Sequence, residues 1–188
     1  MHLRMVKERA YDVGELQRQL HANPDAWNTI RLRTEHSCSP HREVSDIWVR
    51  YNALENYRGN MQAFNSEHVA EWYPVVELLP EAKRLALDIA GDHDALEVGA
   101  VLITKVPAGK RVYPHVDSGW HARHYEKFAL QICGNERQAF HFEDEQLVTR
   151  DGDLFWFDNA FPHWVTNESE QDRMTMIVCI RRLDAQAR

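Results

Sequence analysis

The chain has 188 residues, enough for one domain with a sizeable core, and 44% of them are hydrophobic. The formal net charge of −7 argues against a general affinity for nucleic acid, which normally requires a basic surface. Three cysteines without CxxC spacing are typical of buried free thiols in a reducing compartment, so we expect a cytoplasmic protein. No apolar run of about 18 residues predicts a membrane span, and the N-terminus carries no apolar stretch typical of a secretory signal.

The N-terminal part of the chain predicts elements that flank a main sheet. An amphipathic helix is predicted within residues 1–29 by apolar residues at spacings of three and four: Val13, Leu16 and Leu20. Apolar and polar residues alternate at 30–34 and again at 47–51, which predicts two half-buried strands. The polar segment between these strands is a predicted loop, whose side chains we expect at the surface: His36, His41 and Arg42.

Residues 52–75 form a long connection that is rich in asparagine and aromatic residues. Long irregular connections in compact domains are often functional lids. We therefore interpret this segment either as a cover over an active site or as a surface loop fixed by its aromatic side chains. As a cover, it would offer these candidate substrate contacts: Tyr57, Arg58, Phe64 and Trp72. A packing helix is predicted at 80–91, with Pro80 in its first turn and Gly91 at its end.

Eight short strands are predicted in the C-terminal half, most of them separated by turn signals. They are 98–106, 111–117, 126–133, 137–142, 145–149, 153–158, 162–167 and 173–181. Strands of this length and spacing are typical of a jelly roll or sandwich, in which two sheets enclose a cavity. We therefore predict a mainly β, cupin-like jelly roll with flanking N-terminal helices. The whole chain, 1–188, is expected to be one domain, with 1–96 as support and candidate lid and 97–182 as the core.

Two histidines and one carboxylate in this half form the ligand set of a non-haem iron(II) site. His115 and Asp117 stand at i and i+2, so on an extended strand their side chains point to the same face. His163, on a distant predicted strand, is expected to supply the third ligand. Three octahedral positions then stay open for a co-substrate and O₂. An HxD pair alone is a common surface pattern, and it is the context of the other residues that gives it weight.

Arg173 and Thr175 also share one face of a predicted strand, again at i and i+2. A guanidinium can hold a carboxylate through two hydrogen bonds, and the hydroxyl adds one more donor. This pair therefore predicts a carboxylate site beside the metal. His121 and its neighbour Trp120 lie in a polar turn after Asp117, where we expect surface or substrate-contacting roles rather than metal ligation.

The order of HxD, distal histidine and RxT resembles the Fe(II)/2-oxoglutarate-dependent dioxygenases, and more narrowly their aspartyl/asparaginyl β-hydroxylase-like branch. The likeness covers residues 98–182, with a weaker likeness at 45–52. It implies a double-stranded β-helix with Fe(II) and 2-oxoglutarate as cofactors. It also implies three metal ligands, which are His115, Asp117 and His163. The distal carboxylate of 2-oxoglutarate is implied to bind Arg173, assisted by Thr175.

The likeness has departures on the third strand of the fold. The branch often carries an Arg-x-His pair there, and the corresponding residues are Lys127 and Ala129. Lys127 is thus a candidate co-substrate ligand. Three residues are candidates to replace the histidine: His124, Tyr125 and Gln131. The family implies hydroxylation of a C–H bond with O₂, supported by ascorbate. The candidate substrates are an Asp, Asn or Pro side chain in a peptide, a free amino acid, and another small metabolite.

Two other functions are open from the sequence. One is a jelly roll that binds a small ligand without catalysis, and the other is a cupin-type metal enzyme that needs no oxo-acid. The complete ligand set with Arg173 argues against the first, and the RxT pair argues against the second. Succinate release in the presence of iron, ascorbate and 2-oxoglutarate would separate them from a dioxygenase.

Overall fold

Two antiparallel sheets form the frame of the protein in the computed structural model, which describes residues 5–182. The larger sheet has seven strands in the order β1 (Met5–Ala10), β9 (Asp153–Phe157), β6 (Glu126–Cys133), β11 (Arg173–Arg181), β4 (Glu97–Val106), β2 (Ser45–Asn52) and β3 (Ala70–Trp72). The smaller sheet has four strands in the order β5 (Arg111–His115), β10 (His163–Asn167), β7 (Gln138–His141) and β8 (Gln146–Leu147).

The helices are few and short. They are α1 (Gly14–Ala22), α2 (Met61–Phe64), α3 (Pro80–Asp92) and α4 (Trp120–His124), with 3₁₀ turns at Pro24–Ala26, Leu54–Asn56 and Pro74–Glu77. The eight strands predicted in the C-terminal half correspond to β4 through β11. The predicted mainly β fold, a double-stranded β-helix with flanking helices, is therefore confirmed.

Alternation along the strands of the large sheet separates an outer core from the inner side that faces the small sheet. On β11, Met176 and Val178 point to the outer face and belong to the core shared with α1 and α3. Arg173, Thr175 and Ile177 point to the inner side, where they line a cavity. Successive residues of a strand point to opposite faces. One strand therefore supplies both hydrophobic anchoring and polar site residues.

The second core lies between the two sheets. Its aromatic members include Phe140 on β7 and both Phe155 and Phe157 on β9, and its aliphatic members include Val112 on β5 and Val165 on β10. These rings enclose the inner cavity and keep its polar groups away from bulk water. A third cluster, built around Trp48, Tyr51 and Phe64, fixes the segment that follows β2 against the open end of the large sheet.

Two local predictions are wrong. Residues 30–34 are not a strand, because the chain turns there, with the amides of Thr34 and Glu35 both bonded to the carbonyl of Arg31. The polar turn after Asp117 contains the short helix α4. The helix predicted within residues 1–29 is confirmed as α1, which buries Leu16 and Leu20, and the strand β1 before it pairs with β9.

The long connection after β2 is ordered rather than irregular. It contains a 3₁₀ turn, α2 and β3, and polar side chains fix it. The hydroxyl of Tyr51 donates to Asn65 at 2.9 Å, and the amide of Asn52 donates to the carbonyl of Phe64 at 2.8 Å. Within residues 5–182, no helix combines the length and apolarity needed to cross a bilayer.

Candidate metal centre

The side chains of His115, Asp117 and His163 converge, with one potential ligand atom from each lying within 4.8 Å of the others. The two Nε2 atoms lie 3.8 Å and 3.7 Å from the two oxygens of Asp117. The convergence follows from strand pairing, because His163 on β10 is the Cα partner of His115 on β5. Asp117 lies just beyond β5, with its amide bonded to the carbonyl of Asn159 at 3.2 Å.

Local backbone geometry leaves the same nitrogen free on both histidines. The Nδ1 atom of His115 lies 2.8 Å from the carbonyl oxygen of Tyr113, and that of His163 lies 2.9 Å from the carbonyl oxygen of Phe161. A carbonyl only accepts hydrogen bonds, so each Nδ1 carries the proton and each Nε2 has a lone pair. Such outer hydrogen bonds usually fix the tautomer of metal-binding histidines. The donor set thus fits a divalent metal ion.

The charges around the cluster also suit a cation. Burial raises the pKa of the Asp117 carboxyl, but the charge and hydrogen bond of the neighbouring Lys127 ammonium outweigh it and hold this pKa well below its usual range. Burial lowers the pKa of His163 to about 4, against the opposing effect of Asp117. At neutral pH the cluster is therefore one carboxylate and two neutral imidazoles, the protonation state that ligation requires.

Lys127, predicted as a co-substrate ligand, lies at the edge of this cluster. Its ammonium donates to Oδ2 of Asp117 at 2.5 Å. Two of the candidates for the missing third-strand histidine point elsewhere, because the side chains of His124 and Tyr125 both contact Glu97, at 3.5 Å and 2.5 Å.

Arg173 lies in the same cavity as the three candidate ligands. Its side chain is 3% exposed, and its Nη1 donates to the hydroxyl of Thr175 at 2.6 Å. Its Nη2 is buried without a hydrogen-bond partner among the described residues. Burial lowers the pKa of Arg173 to about 10, and no carboxylate offsets this effect. A buried cation with an unsatisfied donor is costly for the protein alone, and it fits a carboxylate supplied by a ligand.

Gln131, another candidate for the missing histidine, supports Arg173 indirectly through Thr175. This glutamine is fully buried, and its Oε1 accepts hydrogen bonds from Thr149 at 2.7 Å and from Thr175 at 3.4 Å. Its Nε2 donates to the carbonyls of Cys133 and Met174, at 2.6 Å and 2.9 Å. With its proton directed to Gln131, the Thr175 hydroxyl presents a lone pair to the guanidinium. The arginine is therefore positioned by a chain of hydrogen bonds.

Two residues of the cavity wall, Arg33 and His41, come from the segment between α1 and β2, and neither was predicted to lie in the site. Arg33 forms a paired contact with Asp46, through Nε at 2.9 Å and Nη2 at 2.7 Å, and its Nη2 also reaches Thr104 at 2.7 Å. His41 was predicted at the surface, but its ring lies 4.8 Å from that of His115, centroid to centroid. Burial lowers the pKa of His41 well below its usual range. His36, by contrast, is exposed as predicted.

A second cavity adjoins the first, and the two share Arg33, Asp117 and Lys127 on their walls. Its other walls come from β2, β4, β11 and the segments around α2 and α4, and they include Tyr51, Asn65, Ser118 and His121. His121 is buried, and its Nε2 accepts a hydrogen bond from the amide of Ala100 at 3.2 Å. The second cavity therefore opens next to the candidate metal position.

The other residues predicted to contact substrate lie outside these two walls. Tyr57 packs edge-on against Phe64, with 5.6 Å between ring centroids, and Trp120 stacks on His124 at 4.6 Å. Arg58 is exposed. Trp72 lies beneath the cations of Arg50 and Lys83, at 4.9 Å and 5.5 Å from its ring.

Comparison with solved structures supports the fold. The chain is similar to an oxidoreductase of the 2OG-Fe(II) oxygenase family from Burkholderia pseudomallei, with a TM-score of 0.56 and 10% identity over 95% of this chain and 84% of that one. It is also similar to a prolyl hydroxylase from Trichoplax adhaerens, solved with a hypoxia inducible factor peptide, with a TM-score of 0.58 and 11% identity over 98% and 86% of the two chains. A viral collagen prolyl hydroxylase from Paramecium bursaria Chlorella virus-1 gives a TM-score of 0.54 and 11% identity, over 97% of each chain. No curated protein sequence matches the chain at a significant level.

Fold and side-chain cluster together define the class of non-haem iron oxygenases that use 2-oxoglutarate. The family model of aspartyl/asparaginyl β-hydroxylase matches residues 12–182, which is nearly all of the chain. The chain belongs to this family. It is accordingly a 2-oxoglutarate-dependent dioxygenase, a hydroxylase of the aspartyl/asparaginyl type, and membership implies iron and 2-oxoglutarate as its cofactors.

Proposed function

We propose that His115, Asp117 and His163 hold Fe(II), and that Arg173 and Thr175 bind the distal carboxylate of 2-oxoglutarate. The observation that carries this proposal is the buried Nη2 of Arg173, which has no partner in the described chain and lies in the cavity of the three ligands. A charge-assisted pair with a carboxylate satisfies this donor in a dry interior. Gln131 keeps the guanidinium in place through Thr175.

The residues around the ion divide into those that bind and those that exclude water. When bound, iron and 2-oxoglutarate supply the oxidation, in which O₂ and the oxo-acid are consumed, succinate and CO₂ are released, and a C–H bond becomes C–OH. Phe140, Phe155 and Phe157 form an apolar wall behind the ligands. This wall limits the access of water to the reacting groups. Ascorbate supports the reaction by keeping the iron ferrous.

We further propose that the primary substrate enters the second cavity. This cavity shares Asp117 with the candidate metal centre, so a C–H bond inside it would lie beside the ion. The segment after β2 covers it with Met61 and Asn65, and α4 contributes His121. An amino-acid side chain of a peptide and a small amino acid are both substrates of the right chemical type. In this proposal the chain is one oxygenase domain, with residues 1–96 supporting and covering the core.

The test is binding followed by turnover. Mn(II) replaces Fe(II) without turnover, so Mn(II) with 2-oxoglutarate should raise the thermal midpoint of the wild type. The corresponding gain in the free energy of unfolding is about 2.7 kcal/mol when the ligand is at 100 times its Kd. His163→Ala should abolish this gain. His141→Ala is the matched control, because His141 lies on the neighbouring strand β7 and bonds Thr166 instead. Absence of stabilisation in the wild type, or of succinate release with Fe(II) and ascorbate, would refute the proposal.

A further inference from the structure

The turn that carries His41 is fastened to the strand that carries His115. The amide of Tyr113 donates to the carbonyl of Pro40 at 2.9 Å, and the Tyr113 hydroxyl donates to Glu43 at 3.0 Å. The guanidinium of Arg42 lies 3.4 Å from the centre of the Tyr113 ring. The carbonyl of the same tyrosine fixes Nδ1 of His115. Tyr113 thus holds the turn and the histidine in one rigid arrangement.

This arrangement directs His41 into the cavity. Its ring meets that of His115 at 73°, an edge contact, and it lines the same wall as the three candidate ligands. Within residues 5–182 the imidazole nitrogens of His41 make no hydrogen bond, and only its backbone is bonded: the amide donates to the hydroxyl of Ser39, and the carbonyl accepts from the amide of Val44. The two cations at this end of the cavity are paired with carboxylates, Lys127 with Asp117 and Arg33 with Asp46. His41 is therefore a polar side chain beside the ligands whose ring nitrogens have no hydrogen-bond partner among the described residues.

From this geometry we propose that His41 is a co-substrate-binding residue that donates a hydrogen bond to the C1 carboxylate of 2-oxoglutarate. The inference rests on the proposed function. With its distal carboxylate on Arg173, the oxo-acid must direct its other end toward the ion. If one oxygen of the C1 carboxylate bound the ion, the second oxygen would need a donor in a cavity that excludes water. His41, which lines this cavity next to His115, would supply that donor.

The two ends of the co-substrate can be tested separately with two analogues. Pyruvate has the oxo-acid end but no distal carboxylate, and 4-oxobutanoate has the distal carboxylate but no C1 carboxylate. Binding of each, and of 2-oxoglutarate, is measured by calorimetry on the Mn(II)-loaded full chain without O₂. His41→Ala should weaken 2-oxoglutarate and pyruvate by about tenfold, the loss expected for one hydrogen bond to a charged group. It should leave 4-oxobutanoate unchanged. Arg173→Met should weaken 2-oxoglutarate and 4-oxobutanoate and leave pyruvate unchanged.

The controls separate this role from metal ligation and from packing. Mn(II) alone should bind His41→Ala within twofold of the wild type, and His36→Ala, an exposed histidine of the same segment, should behave as the wild type throughout. His41→Asn retains an N–H donor and should recover part of the affinity. If the alanine variant unfolds, the 2-oxoglutarate affinity of His41→Asn is compared with that of the wild type instead.

Two results for the His41 variants would overturn the inference. If His41→Ala lost as much affinity for Mn(II) alone as for 2-oxoglutarate, His41 would be a metal ligand. Unchanged 2-oxoglutarate affinity in both variants would make it a packing residue. A wild type that binds no 2-oxoglutarate would refute the proposed function itself. Binding of 2-oxoglutarate that is lost in Arg173→Met but kept in His41→Ala would refute this inference alone.

Discussion

Arg173 should destabilise the ligand-free protein that it serves. It is a buried cation without a carboxylate partner in the described chain, and burial lowers its pKa to about 10. The difference from the usual arginine value corresponds to about 3 kcal/mol, at about 1.4 kcal/mol per pH unit. Arg173→Met keeps most of the volume and removes the charge. We expect it to raise the free energy of unfolding by about 1–3 kcal/mol, because loss of the bond to Thr175 offsets part of the gain.

Arg33 is the matched control, since it lies on the same cavity wall but has an acidic partner. Asp46 is 1% exposed and accepts two hydrogen bonds from the guanidinium. Arg33→Met leaves that carboxylate buried and without its cation, so it should lower the free energy of unfolding by about 3–5 kcal/mol. The two substitutions are the same in chemistry and opposite in expected sign.

Urea unfolding of chelator-treated protein measures the free energy of unfolding of both variants. A second measurement, with Mn(II) and 2-oxoglutarate added, completes the test. Arg173→Met should bind Mn(II) normally but gain no further stability from 2-oxoglutarate. A fall in the free energy of unfolding of Arg173→Met, like that expected for Arg33→Met, would contradict this prediction, because the guanidinium would then have a compensating partner. The prediction is equally refuted if Arg173→Met still responds to 2-oxoglutarate.

Three further predictions concern packing, positioning and acid stability. Gly99→Ala should lose about 1–3 kcal/mol of stability, because its Cβ would lie 2.7 Å from the Tyr125 ring, whereas Gly91→Ala in α3, with open space around it, should gain about 0.5–1 kcal/mol. Gln131→Leu should lose about 2–4 kcal/mol by leaving its hydrogen-bond partners unsatisfied, and should weaken 2-oxoglutarate binding while Mn(II) affinity is kept. Burial lowers the pKa of His121 to about 3, so stability should fall as the pH falls from 6.5 toward 4, and His121→Gln should flatten this dependence.

The sign of the acid effect follows from proton uptake. Below pH 6.5 the unfolded chain protonates histidines that the folded state keeps neutral, which costs up to about 1.4 kcal/mol per pH unit for each one. Urea midpoints between pH 4 and 7 measure this effect. An unchanged slope in His121→Gln, a Gly99→Ala variant as stable as the wild type, or a Gln131→Leu variant with full 2-oxoglutarate affinity would each contradict its prediction.

The sequence was informative where function depends on spacing within a strand. Arg173 and Thr175 sit two residues apart on β11, and the period of a strand brings such a pair to one face wherever the strand lies. His115 and Asp117 have the same spacing, but β5 ends at His115, and Asp117 is positioned by the bond from its amide to the carbonyl of Asn159. The apolar runs and turn signals of the C-terminal half were strong enough to locate β4 through β11. The distal His163 could be predicted because its strand is part of the same pattern.

Prediction failed where long-range contacts decide the structure. Residues 30–34 alternate as a strand does, but Arg33 is drawn to the buried Asp46, and the chain around it turns. His41 lies in a polar segment that is typical of a surface loop, and only its attachment to Tyr113 brings it into the cavity. Neither contact leaves a local signal in the sequence.

The facing positions of His115 and His163 have a consequence for the small sheet. An ion held between them would act as a cross-link between neighbouring strands, so β5 and β10 could separate only after the ion is released. The free energy of that local opening then increases with free metal concentration as RT ln(1 + [M]/Kd). The order of the small sheet would thus follow the metal supply of the cell, whereas the large sheet, secured by α1 and α3, would keep its order without it.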